Sequence, residues 1–302
     1  MPRPLRLGLD LGGTKIAGVV LDADGRAVWD ARVATPRHDY DSTLDTLRQL
    51  VHAAESSVGQ TCSVGIGMPG AISPATGLVK NANSTWLNGR PFHADVERAL
   101  ARPVRLANDA NCLAVSEAVD GAAAGAAVVF AVIVGTGTGG GIAVRQSVLT
   151  GVNAIAGEWG HNPLPWPAAD ELPGPACYCG RRGCLETWLS GPALAADYTR
   201  RSGRVLEGEA VVSLAAGGDP EASATLDAWT SRLARGLASI INVLDPDVIV
   251  MGGGLSRIDR LYTDVPRLWP QWVFSDHIAT RLVPAKFGDA SGVRGAAWLW
   301  NE

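Results

Sequence analysis

Residues 5–21 read LRLGLDLGGTKIAGVVL, two apolar runs of strand length at 5–11 and 16–21 joined by Gly12, Gly13, Thr14 and Lys15. Continuous apolar runs mark buried strands and the glycines mark a tight turn, so the spacing predicts a β-hairpin. Asp24 and Gly25 turn the chain into a third strand at 27–33. Leu44, Leu47, Leu50 and Val51 recur at helical spacing across 43–54, and 64–67 follows as a short buried strand. The order βββαβ predicts an α/β fold. Beyond it, a strand at 104–107 leads into a helix at 110–119 opened by Asp109.

The pattern returns after residue 126. A strand at 127–134, a glycine turn at 135–141, a strand at 142–144 and a further turn before Leu149 repeat the opening, consistent with a diverged internal duplication. Two α/β lobes, residues 1–120 and 121–302, would then enclose a cleft with a phosphate-binding turn on each wall.

Composition narrows the function. The 302 residues are 47% hydrophobic, enough for a sizeable core, and 30 acidic against 26 basic residues leave a net charge of −4. No general positive field favours nucleic acid or an anionic membrane. The longest apolar run, 122–134, is broken by Gly125 and is shorter than the roughly 20 residues that span a bilayer. Asp10 interrupts the apolar N-terminal stretch before it could serve as a secretory core, so a cytoplasmic location is expected.

In 10–15, glycines let backbone N–H groups approach an anion, Thr14 adds a hydroxyl and Lys15 a positive charge. Asp10 could hold Mg²⁺ through water. An ordinary glycine hairpin with a solvated Lys15 fits the same six residues. Gly135, Gly137 and Gly140 satisfy GxGxxG, but a strand instead of a helix follows, which removes the dinucleotide reading and leaves a turn able to meet phosphate. The Walker pattern is missing. Gly252, Gly253 and Gly254 follow an apolar strand at 248–251, as a platform for adenine or ribose or as a packing turn. Asp109 stands where a strand ends, the place where open α/β sheets bind ligands, and is a candidate general base for phosphoryl transfer. A helix N-cap is the competing explanation.

Cys177, Cys179 and Cys184 fall within eight residues, and His161 offers a fourth ligand. Cys₃His is a closed tetrahedral set typical of structural zinc. A disulfide or buried reduced thiols are the alternatives, although five cysteines, unevenly spread, argue against a disulfide framework. Such a clamp would hold Glu158 and Glu186 near one another, where they could accept hydrogen bonds from sugar hydroxyls. Surface salt bridges are the plainer reading of both.

DLGGTK at 10–15, GIGMPG at 65–70, NDAN at 108–111, GTGTGGG at 135–141, GEWGH at 157–161, CYCGRRGCLE at 177–186 and DPDVIVMGGG at 245–254 together resemble the ROK family of sugar kinases, over nearly the whole chain. KNANSTWLNGRPF at 80–92 and GEWGHNPLPW at 157–166 look most like its fructokinase or mannokinase branch. The resemblance implies an actin-like ATPase (ribonuclease H-like) fold whose lobes close on sugar and MgATP, and a homodimer. It implies Asp109 as the base that meets the sugar, with Asn83, Asn108, Glu158, His161 and Glu186 around it. Gly12, Thr14, Lys15, Thr136 and Gly137 would lie at the phosphates, with Asp10 and Gly13 in the same ATP-binding turn, and Gly253 and Gly254 at the nucleoside. His161, Cys177, Cys179 and Cys184 would bind structural Zn²⁺. The stretch between His161 and Cys177 is longer than in many members, and Phe287 stands where related sequences often have His, with no catalytic consequence expected.

The activity expected from this resemblance is ATP-dependent phosphorylation of a free hexose at its 6-hydroxyl, fructose first, then mannose or glucose. The alternatives are an N-acetylhexosamine kinase and a sugar-responsive transcriptional regulator. Such regulators carry an N-terminal helix-turn-helix, whereas this chain enters its first strand by about Leu5. The expected partners are therefore a hexose and ATP, with no nucleic acid and no membrane.

Overall fold

A computed structural model describes residues 5–300; the ends of the two expected lobes at 1–4 and 301–302 lie outside the described residues. In chain order, β1 (Arg6–Leu11), β2 (Lys15–Leu21) and β3 (Ala27–Ala34) lead into α1 (Tyr40–Val58) and β4 (Ser63–Met68). A small hairpin, β5 (Ala71–Ile72) and β6 (Val79–Lys80), precedes α2 (Phe92–Leu100), β7 (Val104–Asn108) and α3 (Asp109–Val119). Then come β8 (Val128–Val134), β9 (Thr138–Val144), β10 (Ser147–Val148), α4 (Glu186–Leu189), α5 (Gly191–Ser202), α6 (Gly208–Ala216) and α7 (Pro220–Leu244). β11 (Val248–Gly252), α8 (Leu261–Leu268), β12 (Arg281–Pro284) and α9 (Ser291–Trp298) complete the chain.

The two five-stranded sheets have the same order. The first runs β3-β2-β1-β4-β7 and the second β10-β9-β8-β11-β12, so each places its opening hairpin beside two later strands. In the first, β1 is antiparallel to β2 and parallel to β4, and β4 is parallel to β7. In the second, β11 is parallel to both β8 and β12. This is the doubled α/β arrangement expected from the repeated glycine-turn hairpin.

Chain contacts divide the molecule into two compact units. One holds the chain up to Gly125, Gly141–Ala156 and the chain from Asp289 onward; the other holds Ala126–Gly140 and Gly157–Gly288. The expected cut near residue 120 thus falls five residues early, and two later segments pack with the N-terminal unit.

In the first unit, Leu7, Leu9, Leu11, Ile16 and Val20 form one buried cluster with Leu47, Leu50 and Val51 of α1 and Phe92 and Val96 of α2. The helix runs beyond the expected 43–54 because its ends are set by caps rather than by apolar spacing. Asp39 accepts from the Ser42 N–H at the start, and Gly59 at φ 72° ends it in the left-handed region. The last helix, α9, packs along α3, β1 and β4. Glycines permit this contact: a Cβ on Gly8 would lie 2.1 Å from the Val293 carbonyl oxygen, and one on Gly65 would lie 1.9 Å from that of Ala296. Ser291 donates to the buried Glu117 of α3 at 2.8 Å, closing the joint.

In the second unit, α7 starts at an Asp219 cap followed by Pro220 and ends with Asp245 in the left-handed region. Its Trp229, Leu233 and Leu237 are fully buried, and Trp229 donates to the Leu189 carbonyl at 3.0 Å. Among the described residues no helix is long and apolar enough to cross a membrane, and all five cysteines are free thiols.

Candidate active site and metal centre

In the first unit, the carboxyl ends of three parallel strands bring the candidate acidic groups together. Asp10 pairs in register with Gly67, and Gly67 with Ala107, two residues before Asp109. Gly67 leaves space that a side chain would fill: a Cβ there would lie 3.2 Å from Cys112 Sγ and 3.5 Å from Asp10 Oδ1. Gly292, at the start of α9, stands 3.5 Å from Asp10 Oδ2 by the same measure. Burial first, then the charge of Asp109, pushes the Asp10 carboxyl up to about 6, against the opposing pull of Lys15.

Asp109 does not cap the helix it opens. The cap is Asn108, whose Oδ1 accepts from the Asn111 N–H at 2.7 Å. Asp109 is the first helical residue and accepts from the Ala110 N–H at 2.8 Å. Burial raises its pKa, and the Ala110 N–H partly offsets this. By surface area the residue is exposed, so the shift reflects the mass of protein around an open carboxylate and not a sealed pocket. A carboxylate that is accessible and has no helix-capping duty can receive a proton from a bound hydroxyl.

The DLGGTK turn is stiffened from behind. The Gly12 N–H donates to the Lys15 carbonyl at 3.0 Å, the Thr35 hydroxyl donates to the Gly12 carbonyl at 2.7 Å, and the Thr35 N–H donates to the Thr14 carbonyl at 3.0 Å. Gly13, Thr14 and Lys15 remain exposed. Asn83 is exposed on a loop clamped by Asn88, which bonds both the N–H and the carbonyl of Ala82 at 2.9 and 2.8 Å.

The second unit gathers its own glycine clusters. Strand β9 begins at Thr138, so Gly139, Gly140 and Gly141 lie inside a strand and not in the longer turn expected. Close packing explains them. A Cβ on Gly140 would lie 2.7 Å from Trp159 Cδ1, and Trp159 donates to the Gly139 carbonyl at 2.9 Å. This seats the GEWGH turn, whose Gly160 would place a Cβ 2.0 Å from the Thr138 carbonyl oxygen. Glu186 lies beside Gly137, with its Oε2 accepting from the Thr138 N–H at 3.0 Å. Thr136 and Glu158 are exposed. Gly253 has φ 85° and its Cβ would lie 2.4 Å from the Val134 carbonyl, while Gly254 N stands 3.9 Å from a Cβ built on Gly135. The 135–137 and 252–254 turns are therefore neighbours.

His161, Cys177, Cys179 and Cys184 converge, with their ligand atoms all within 4.8 Å of one another. Cys177 Sγ is 3.6 Å from His161 Nδ1, and the Cys179 and Cys184 sulfurs are 3.6 Å apart. Two thiolates at about 2.3 Å from a tetrahedral zinc stand about 3.8 Å apart, so the set fits that ion. The long stretch from His161 to Cys177 folds back on itself because Glu171 within it is buried against Arg232 and Arg235 of α7, with contacts of 2.8 Å. Burial alone would raise Glu171; the two arginines and the Ala168 N–H hold it at about 2. Arg235 also bonds the Trp166 carbonyl at 2.7 Å. Tyr178 was not singled out by sequence, yet its hydroxyl lies 2.9 Å from His161 Nε2.

The sequence matches the ROK family over residues 6–302. The chain belongs to the ROK family. It is 39% identical over 296 residues to an N-acetyl-D-glucosamine kinase of Yersinia pseudotuberculosis, covering 97% of each chain. Among solved structures it is similar to a ROK hexokinase from Thermus thermophilus, with a TM-score of 0.86 and 33% identity over 98% of this chain and 97% of that one. It is also similar to a ROK glucokinase from Streptomyces griseus, in complex with glucose and AMPPNP, with a TM-score of 0.76 and 28% identity over 97% and 98%. This ROK chain is thus a sugar kinase with the α/β architecture of the actin-like ATPases.

Proposed function

We propose that this ROK kinase phosphorylates N-acetyl-D-glucosamine at its primary 6-hydroxyl, with ATP as donor. The observation that carries the reading is the 39% identity to an N-acetyl-D-glucosamine kinase over 97% of both chains. The fructose preference expected from segments 80–92 and 157–166 gives way to it.

In this reading Asp109 takes the proton of the 6-hydroxyl as its oxygen bonds to the terminal phosphorus and the bond to the ADP oxygen breaks. Gly12, Gly13, Thr14 and Lys15 offer donors and charge to the phosphates, as do Thr136 and Gly137, while Gly253 and Gly254 take the nucleoside. The carboxyl of Asp10, raised by burial and by a like charge, suits a cation and would hold hydrated Mg²⁺. That ion, when bound, offsets the negative charge of the phosphates. Asn108 already commits Oδ1 to its helix, so its Nδ2 meets the sugar. Asn83, Glu158, His161 and Glu186 complete the sugar contacts. His161, Cys177, Cys179 and Cys184 would hold Zn²⁺ as a closed structural site that fixes the segments bearing Glu158 and Glu186. A homodimer in the cytoplasm belongs to the same reading.

The test is initial-rate ADP formation with N-acetylglucosamine, glucose, mannose, fructose and glucosamine. N-acetylglucosamine is expected to give the highest kcat/KM, by about tenfold or more, a difference of about 1.4 kcal/mol in transition-state binding. A higher value with fructose overturns the proposal.

A further inference from the structure

Two stretches that the proposed function places at the sugar are tied together by one ammonium group. Lys80 Nζ donates to the Asn153 carbonyl at 2.8 Å, across 73 residues of chain. On one side of this bond, Asn83 lies three residues beyond Lys80. On the other, Glu158 lies five residues beyond Asn153, just after the chain leaves the first unit at Ala156.

The bond has a firm end and a strained one. Lys80 pairs with Ala71 in the β5–β6 hairpin, and the Gly89 N–H donates to the neighbouring Val79 carbonyl at 2.9 Å. Gly70, at φ 74°, lets this backbone lie close: a Cβ there would stand 2.4 Å from the Lys80 carbonyl oxygen and 2.7 Å from the Ala82 nitrogen. In the facing turn, the Ala154 N–H donates to the Gly151 carbonyl and the Ala156 N–H to the Thr150 carbonyl, both at 3.2 Å. Ala154 has φ 52°, in the left-handed region, where an alanine stays only if its surroundings hold it. The carbonyl that Lys80 grips belongs to the peptide joining Asn153 to Ala154, the plane about which that φ is set.

We propose that Lys80 is a positioning residue of the sugar site: its ammonium holds the 153–154 peptide, and with it the strained turn that leads the chain to Glu158. A charged donor makes a stronger hydrogen bond than a neutral one. Val79 and Ala82 enter the buried cluster on either side of Lys80, so removing the charge leaves the core packing in place. The inference rests on the placement of Asn83 and Glu158 at the sugar given under the proposed function.

The experiment measures initial rates of the full-length protein, of Lys80→Met, of Lys80→Arg, and of Lys80→Met combined with Ala154→Gly, with sugar and ATP varied separately. Lys80→Met is expected to raise KM for the sugar by about tenfold, while kcat and KM for ATP stay within about twofold. Arginine keeps a charged donor and should recover much of the loss. Glycine takes a positive φ without strain, so Ala154→Gly should bring the sugar KM of the Lys80→Met protein back toward that of the parent. An unchanged sugar KM in Lys80→Met overturns the inference. So does a raised KM that Ala154→Gly leaves in place, the result expected of an ammonium that meets the sugar itself. Glucose and N-acetylglucosamine are both run, because a strut that does not touch the substrate affects them alike. Poor turnover of N-acetylglucosamine by the parent counts against the proposed substrate alone, whereas an effect of Lys80→Met on one sugar only counts against the strut.

Discussion

Asp10 and Asp109 stand at the carboxyl end of one sheet with Gly67 in register between their strands, and after burial it is the charge of Asp109 that does most to raise the Asp10 carboxyl. Two acidic groups so arranged carry a cost that a cation removes. The pKa of Asp10 rises from 3.8 to about 6 on folding, so the folded chain binds more protons than the unfolded one across that window. Stability from this group is therefore fully present below about 4 and lost as pH rises through about 6, by up to about 3 kcal/mol. Asp10→Asn should raise the urea midpoint at pH 8 and leave it nearly unchanged at pH 4, while MgATP binding weakens. An equal gain at both pH values would remove Asp10 from the account.

Asp109→Asn keeps the shape of the side chain and removes the proton acceptor. Sugar binding, measured by calorimetry, should persist while kcat falls by about 10²-fold or more. Near-normal turnover would show that another group takes the proton.

The purified chain should carry about one zinc ion, measured by elemental analysis. Cys184→Ser removes a buried ligand and should lower both zinc content and the thermal midpoint, because metal binding is linked to folding. Fully active protein without zinc contradicts the clamp.

Gly65→Ala tests the joint between β4 and α9. The added methyl would sit 1.9 Å from the Ala296 carbonyl oxygen, a backbone atom that cannot rotate away. Denaturant unfolding should show a loss of about 3 kcal/mol or more. A change under about 0.5 kcal/mol, ordinary for a surface site, would mean that the helix shifts freely.

Much of the fold is legible locally. A glycine turn between two apolar runs is a short-range signal, and it appears twice, at Gly12–Gly13 and at Gly135–Gly137, heading two sheets of identical order. The long α7 is harder to read. Its buried residues include Thr230, Arg232, Ala234 and Gly236 beside Leu233 and Leu237, so its buried surface is wide and partly polar and no single apolar stripe marks it. Asp219 and Pro220 remain the one local sign of where it starts.

The site divides in the same way. Asp109 can be suspected from its place after a strand, but Asn108 and Asp109 are both good capping residues, and only the Asn108 to Asn111 hydrogen bond decides which one caps. The convergence of His161 with the cysteines follows from the buried Glu171 and its two arginines, which lie more than sixty residues further along the chain. Gly67 sits inside GIGMPG, and nothing in that motif or around Gly292 says that either glycine lies against Asp10. Each acquires its role from a neighbour supplied by the folded chain.

The seating of α9 on β1 and β4 also orders the protein's birth. The sheet that leaves the ribosome first lacks its covering helix until residues beyond Asp289 have been made. At a synthesis rate of about 5–20 residues per second, that leaves an unfinished hydrophobic face waiting for roughly 10–40 s. For that interval the nascent N-terminal half is a natural client for a chaperone, and loss of α9 would strand it there.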